Sequence, residues 1–433
     1  MRLLLPLRIR DFRLLWTGMT ASLLGDGIFL VALAWQVYEL SNAPTALAVV
    51  GVAMTVPQVA LLLVGGVISD RFDRRHVMIG ADVVRGLAVT ALGMLAVTGS
   101  LRLWHVLSVV GFYGAGTAFF GPAFDAIVPD LVPAELLGQA NSLDQFVRPA
   151  AWRLLGPALG GWTIAVAGTA GAFLVDAATF GLSILCVARM VPRPLVEGRG
   201  EGMGSAIREV REGFRFVRSH VWLWGTFLAA TIAYLLFLGP SEVLLPFVVK
   251  NHLHGGADDL GYILAVGGVG ALFAAVLVGA RGQPRRSITF IYVVWTLSTL
   301  AIAGYGLARY TWQLMAASFA FNALEAAGTI VWATTKHRLV PGRVLGRVSS
   351  FDWFISISLL PLSYALTGPV AAAIGARATL VGAGVLGGIA TFGFLFLPGM
   401  RAAEGIAQSA APLLEDAGDL DVPRAVVGAT RPK

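Results

Sequence analysis

The sequence predicts an all-α membrane protein of twelve transmembrane helices arranged as two six-helix repeats. Three observations carry that prediction. Composition is the first: 57% of the 433 residues are hydrophobic and only 13% are charged, against about 25% charged in a soluble domain, and mean hydropathy is +0.76. The second is an internal echo. Leu131-Val-Pro-Ala-Glu-Leu-Leu-Gly-Gln-Ala-Asn-Ser142 returns as Leu339-Val-Pro-Gly-Arg-Val-Leu-Gly-Arg-Val-Ser-Ser350, with six identities at an offset of 208 residues. Ala178-Thr-Phe-Gly181 returns as Ala390-Thr-Phe-Gly393 at 212. An offset of nearly half an apolar chain points to a duplicated membrane unit. The third is where the positive charges fall.

A helical span needs roughly 20 apolar residues. Twelve such stretches lie near 12–40, 45–69, 76–99, 103–126, 139–166, 169–190, 221–249, 258–281, 286–308, 311–336, 346–373 and 375–397. Short punctuation such as Ser41-Asn-Ala-Pro44 and Ala167-Gly168 suits helical hairpins. With both termini cytoplasmic, 25 of the 32 Lys and Arg residues fall on the inner side. Only Arg102, Lys250, Arg309 and Arg377 fall outside, while Arg85, Arg148 and Arg153 lie within spans. That asymmetry predicts a multi-pass protein of the bacterial inner membrane with cytoplasmic termini. The net charge of +7 then reflects orientation and contact with anionic lipids, and nucleic-acid binding is excluded.

Four regions follow. Residues 1–190 form the first six-helix bundle and 221–400 the second. The connector 191–220 carries Ile207, Val210, Phe214 and Val217 at helical spacing with charges opposite, an amphipathic helix at the inner membrane surface. The tail 401–433, rich in Ala, Pro and acids, is expected to be disordered. Arg2, Arg8 and Arg10 precede a first apolar run too long for a signal peptide, so it reads as an uncleaved first helix. Cys186 is the single cysteine, which leaves no disulfide framework. The histidines lack metal-ligand spacing, and no Gly-x-x-x-x-Gly-Lys-Ser/Thr loop is present to take ATP. No metal and no cofactor is expected; the energy source is a proton gradient.

Three motifs carry a resemblance. The loop Gly65-Gly-Val-Ile-Ser-Asp-Arg-Phe-Asp-Arg-Arg75 resembles the signature loop of the major facilitator superfamily, with Gly66, Asp70, Arg71, Arg74 and Arg75 on the motif positions and Asp73 where glycine is usual. The resemblance implies a latch in which arginines bridge to carboxylates of neighbouring helices; an ordinary positively charged loop is the alternative. Asp82 and Arg85, three apart on one helical face, read as a buried pair near that latch. The corresponding loop of the second half, Gly279-Ala-Arg-Gly-Gln-Pro-Arg-Arg286, lacks the acid, so any latch is stronger in the first half. Gly156-Pro-Ala-Leu-Gly-Gly161 resembles the element marking antiporter branches of the superfamily. Pro157 would bend the helix, and Gly156, Gly160 and Gly161 permit close helix contact. Asp11-Phe-Arg-Leu-Leu-Trp16, Gly25-Asp-Gly-Ile28, Val31-Ala-Leu-Ala-Trp35, Glu212-Gly-Phe-Arg-Phe-Val217 and Glu242-Val-Leu-Leu-Pro246 are similar to the branch holding enterobactin exporters, macrolide-efflux proteins and Tap-type multidrug pumps.

An ionised carboxylate inside the membrane costs at least ~2.5–3.5 kcal/mol, so each one needs a role. The resemblance implies that spans 1, 4, 7 and 10 line a central cavity, which ranks Asp26, Glu242 and Glu325 first for proton or substrate coupling. Asp144 has Arg148 one turn away and reads as a structural salt bridge. Asp176 would sit on an outer helix as a polar helix contact. Aromatics on the cavity spans (Trp35, Phe112, Tyr113, Phe119, Phe120, Tyr234, Phe237, Phe319 and Phe321) suit bulky amphiphilic, often cationic, solutes. The expectation is a secondary transporter, a monomer exporting an amphiphilic small molecule such as a drug, antibiotic or siderophore in exchange for protons. A lipid flippase or a small-metabolite importer on the same scaffold remains the alternative. No nucleophile–base constellation supports an enzyme.

Overall fold

The computed structural model describes residues 2–133, 136–191, 203–402 and 404. The described residues are helical almost throughout. Helices α1 (Arg10–Leu40), α2 (Pro44–Arg71), α3 (Arg74–Val97), α4 (Leu103–Leu131), α5 (Leu137–Arg148) and α6 (Gly156–Ala188) pack as one bundle. After α7 (Met203–Ser219), a second bundle follows: α8 (Val221–His252), α9 (Ala257–Arg281), α10 (Ser287–Leu307), α11 (Thr311–Leu339), α12 (Gly342–Ile357), α13 (Leu360–Ile374) and α14 (Ala376–Phe394). Eleven of these segments are long and apolar enough to cross a membrane.

One of the eleven, Pro149–Ala188, runs for 40 residues. At about 1.5 Å per residue it would measure about 60 Å, twice the hydrocarbon core. It does not run straight. Gly168 takes φ +69° and ψ 178°, a conformation that a side chain disfavours, and there the chain turns back. Gly375, with φ +88°, separates α13 from α14 in the same way.

The junction of α5 and α6 departs from expectation. A bend was predicted at Pro157, but the irregular stretch begins earlier, as a seven-residue π-helix, Pro149–Leu155. Pro149 has no N–H to continue the α-ladder and its ring crowds the carbonyl four residues back, so the turn widens. Pro157 then falls in the first turn of α6, where a missing N–H is tolerated. The corresponding span of the second half is also interrupted, at Ser358 and Leu359 between α12 and α13.

The bundles meet on the face opposite the chain termini. Tyr38 donates to the Val243 carbonyl at 2.6 Å, and Lys250 Nζ donates to the Tyr38 carbonyl at 2.5 Å. Asn42 and Asn251 exchange amide bonds of 2.5 and 3.1 Å. One large core cluster accordingly draws residues from both bundles, while two smaller ones sit at the termini face, one per bundle. Helix α7 packs on α12, with Phe214 and Phe351 rings 6.1 Å apart and Arg347 4.0 Å from Glu212. Beyond residue 402 only Glu404 is described; the rest of the tail lies outside the described residues.

Candidate functional site

The first bundle holds a polar cluster in its interior, built by four helices. Helix α3 supplies Asp82 and Arg85, α1 supplies Asp26, α4 supplies Tyr113, and α6 supplies Asp176, Thr179 and Ser183. On α6 the spacing 176, 179, 183 keeps one face toward α1 and α3. Arg85 bonds Asp82 and lies 3.8 Å from Asp26. Ser183 donates to the other Asp82 oxygen at 2.6 Å, and Tyr113 donates to Asp26 at 2.5 Å. Thr179 reaches one Asp176 oxygen at 3.3 Å, while the other is buried with no partner among the described residues. The rings of Phe120 and Phe180 cover the guanidinium at 4.6 and 4.7 Å, an arrangement that favours a cation.

Asp82 and Asp176 are fully buried and Arg85 is 3% exposed, whereas the Asp26 side chain keeps 15%. Asp26 is the member that faces space: a cavity of about 130 Å³ opens beside it, lined also by Ser22, Thr117, Phe120 and Arg148. Glycines shape the site. A Cβ on Gly25 would collide with Thr179 and Asp176, and one on Gly27 would stand 2.8 Å from Gly156 Cα. Gly156 in turn lies against Gly27 and Leu24, Gly160 against Ile28, and Gly161 against Ala257, Asp258 and Gly261 of α9. Gly156 and Gly160 thus bring α6 onto α1, and Gly161 brings it onto the second bundle.

The structure places the remaining candidate residues elsewhere. Arg74 pairs with Asp130 at the end of α4, and Arg75 donates to the Val187 and Ala188 carbonyls at the end of α6, at 3.0–3.3 Å. Both therefore tie helix ends within the first bundle. A Cβ on Gly66 would meet nothing within 4 Å among the described residues outside its own helix turn, Arg71 is exposed, and the Asp70 side chain lies outside those described. Asp82 and Arg85 sit with Asp26 rather than with Arg74 and Arg75. Glu242, in α8, accepts from Tyr364 of α13, whose ring fills the notch left by Gly51 of α2. Glu325, in α11, faces Arg153 across the bundles at 3.4 Å. The three coupling candidates are thus three separate sites. Asp144 and Arg148 pair at 2.7 Å, and Asp352 pairs with Lys336 at 2.7 Å.

Asp176, Tyr113 and Arg153 were underrated by the sequence. After Gly168 turns the chain, α6 runs back along α1 and carries Asp176 against Gly25 and Thr179, a polar helix contact deep in the bundle. Arg153 could have been flagged by cost alone, because a cation inside a span demands a partner. Among the described residues no group of three or more His, Cys, Asp and Glu side chains could hold a metal.

The family model for transmembrane secretion effectors matches residues 2–427. The chain belongs to this family of the major facilitator superfamily. It is a membrane transporter and not an enzyme. The multidrug efflux pump Tap of Mycolicibacterium fortuitum is 28% identical over 416 residues, covering 90% of this chain and 95% of its own. Macrolide efflux protein A of Streptococcus pyogenes is 26% identical over 281 residues, 65% of this chain and 69% of its own. A crystal structure of a POT family transporter shares the fold, with a TM-score of 0.65 and 12% identity over 93% of this chain and 96% of that one.

Proposed function

We propose that this chain is a proton-coupled exporter of amphiphilic small molecules, drugs or antibiotics in the first instance, working by alternating access in the bacterial inner membrane with both termini cytoplasmic. The turn at Gly168 within Pro149–Ala188 supports counting that segment as two spans, and so a reading of twelve spans in two six-helix repeats. The matched turns at Gly168 and Gly375 support the duplication, as do the matched interruptions after α5 and α12. The names of the efflux relatives support export. The partners are then a small-molecule cargo, protons and membrane lipids; the transporter acts as a monomer, with no nucleic acid.

The buried cluster around Arg85 carries the reading. It holds three carboxyl groups, Asp26, Asp82 and Asp176, against one guanidinium. Full ionisation would leave two negative charges unbalanced away from water, a state that burial opposes strongly. Protons close that balance, and the cavity beside Asp26 gives them a route. For an uncharged cargo, one proton moving down 100 mV supplies about 2.3 kcal/mol against about 1.4 kcal/mol for a tenfold gradient; a monovalent cation exchanged one for one draws on the pH difference alone.

The full chain reconstituted in vesicles tests this. With an imposed pH difference, ethidium should accumulate against its gradient, and Asp26→Asn should abolish that accumulation while protein abundance stays at the wild-type level. Wild-type rates in Asp26→Asn would remove Asp26 from the mechanism. Cargo movement unchanged with the pH difference and voltage both collapsed would leave facilitated diffusion. Labelled lipid crossing the bilayer in place of ethidium would leave a flippase.

A further inference from the structure

Arg153 reaches out of one bundle into the other. It stands on the π-helical turn Pro149–Leu155, and its Nη1 lies 3.4 Å from Glu325 Oε2 and 3.3 Å from Asn322 Oδ1, both on α11. The backbone beneath it is pressed onto the second bundle too: a Cβ on Gly268 of α9 would stand 2.6 Å from the Arg153 carbonyl. Thr329 donates to the remaining Glu325 oxygen at 3.0 Å. Glu325 and Asn322 therefore present two oxygens to one cation, preoriented by their own helix. Phe321, one turn before Glu325, meets Phe237 at 5.8 Å, and Phe237 meets Tyr234 at 5.7 Å. A carboxylate and a neutral amide oxygen beside aromatic rings is the chemistry that holds an organic cation.

Two further features distinguish this ion pair from a fixed brace. Arg153 and Glu325 side chains remain 38% and 21% exposed. A pair left that open is held loosely, so exchanging its cation is cheap, unlike the enclosed Arg85–Asp82 pair. Arg153 also has somewhere to go. Its guanidinium already lies 5.5 Å from the Trp152 ring, and relaxation of the π-turn to α-helix would rotate it by about 100° for one residue of register.

We propose that Glu325 and Asn322 form a cation subsite for cargo at the seam between the bundles and that Arg153 is its resident competitor. A cationic amphiphile that takes the place of Arg153 on Glu325 also cuts this tie between the bundles, so binding itself loosens the seam. The proposal rests on the export reading only for the direction in which cargo then leaves.

Equilibrium binding of radiolabelled tetraphenylphosphonium to the purified full chain tests it, with no gradient present, beside binding of the uncharged amphiphile Nile red. Removing the competitor in Arg153→Gln should tighten tetraphenylphosphonium about fivefold, and Glu325→Gln should weaken it about tenfold, with Nile red unchanged in both. The double exchange Arg153→Glu with Glu325→Arg rebuilds the tie, yet should not restore wild-type affinity. If both single variants move affinity the same way, or neither moves it, or the exchange restores it, the pair is a structural brace and the proposal fails. Should Glu325→Gln not elute as one species, Arg153→Gln decides alone, because misfolding cannot produce a gain of affinity. Failure here leaves proton-driven flux untouched, and failure of the flux assay leaves this binding result standing.

Discussion

The two bundles share a plan and fill it differently. At the centre of the first, α3 presents Asp82 and Arg85 to Asp26 and Asp176. Nearer the termini face of the second, α10 presents Tyr292 and Trp295, which join Trp222, Phe227 and Trp332 in a run of ring contacts 5.8–6.5 Å apart. The helix ends differ likewise. Arg74 and Arg75 bind a carboxylate and two carbonyls in the first bundle, whereas neutral Gln283 bonds Thr335 and Val331 at 2.7 and 3.4 Å in the second. The two interiors thus differ in chemistry. The first interior gathers three carboxyl groups on one guanidinium; the second is mainly aromatic, with one matched ion pair, Lys336–Asp352, at its edge on Trp332. On the proposed reading, coupling belongs to the first bundle, while in the second Glu242 is bonded by Tyr364 and Glu325 is paired with Arg153.

The most damaging way to break the asymmetry is to remove the one cation. Arg85→Leu leaves Asp82 buried with Ser183 as its remaining partner, and uncompensating a buried ion pair costs about 3–5 kcal/mol. The expected result is a large fall in the thermal midpoint of the detergent-purified chain, or its loss from the membrane. Adding Asp82→Asn to Arg85→Leu should recover most of the stability, because the stranded charge goes with its partner, but not proton-driven efflux. Full stability in Arg85→Leu alone would mean that the cluster carries no ionised pair.

How much of this was legible in the chain depends on separation. Asp82 and Arg85 could be paired on paper because three residues on a helix fix their geometry. That the chain is an all-helical membrane protein was readable from hydropathy, which is a sum over many residues. Tyr113 on Asp26 was not readable: the two are 87 positions apart, and one more aromatic in a membrane helix carries no mark. Nor could Pro149 be told from Pro157. Each interrupts the α-ladder, and only packing against Gly27 on one side and Gly268 on the other decides where the wide turn settles.

A pair of glycines sharpens the comparison at intermediate cost. Gly156 in the first bundle is wedged on α1, where a methyl group would stand 2.7 Å from Gly27 Cα and 2.9 Å from the Leu24 carbonyl. Backbone cannot step aside as a side chain can, so Gly156→Ala should destabilise by about 1–3 kcal/mol. Gly382, in the middle of α14, has nothing within 4 Å of its missing Cβ. Gly382→Ala should therefore be neutral, or stabilising by up to about 1 kcal/mol through helix propensity. Thermal midpoints of the two variants measured side by side check the contrast, and equal shifts would mean that α1 and α6 do not cross at Gly156.

The smallest effect should come from the aromatic interior. Tyr292 is fully buried, and its hydroxyl meets Thr226 Oγ1 at 3.1 Å. Thr226 already donates to the Trp222 carbonyl at 2.7 Å, so its one hydrogen is spoken for and Tyr292 acts as the donor. Tyr292→Phe then removes a donor together with its own need for a partner, and the Thr226 oxygen keeps its bond. The ring contact with Trp295 is untouched. The cost should be about 0.5–1 kcal/mol, with efflux and its dependence on the pH difference both at wild-type values. A Tyr292→Phe variant that folds normally but loses proton dependence would place a titrating path through the second bundle, and the division of labour between the two interiors would have to be abandoned.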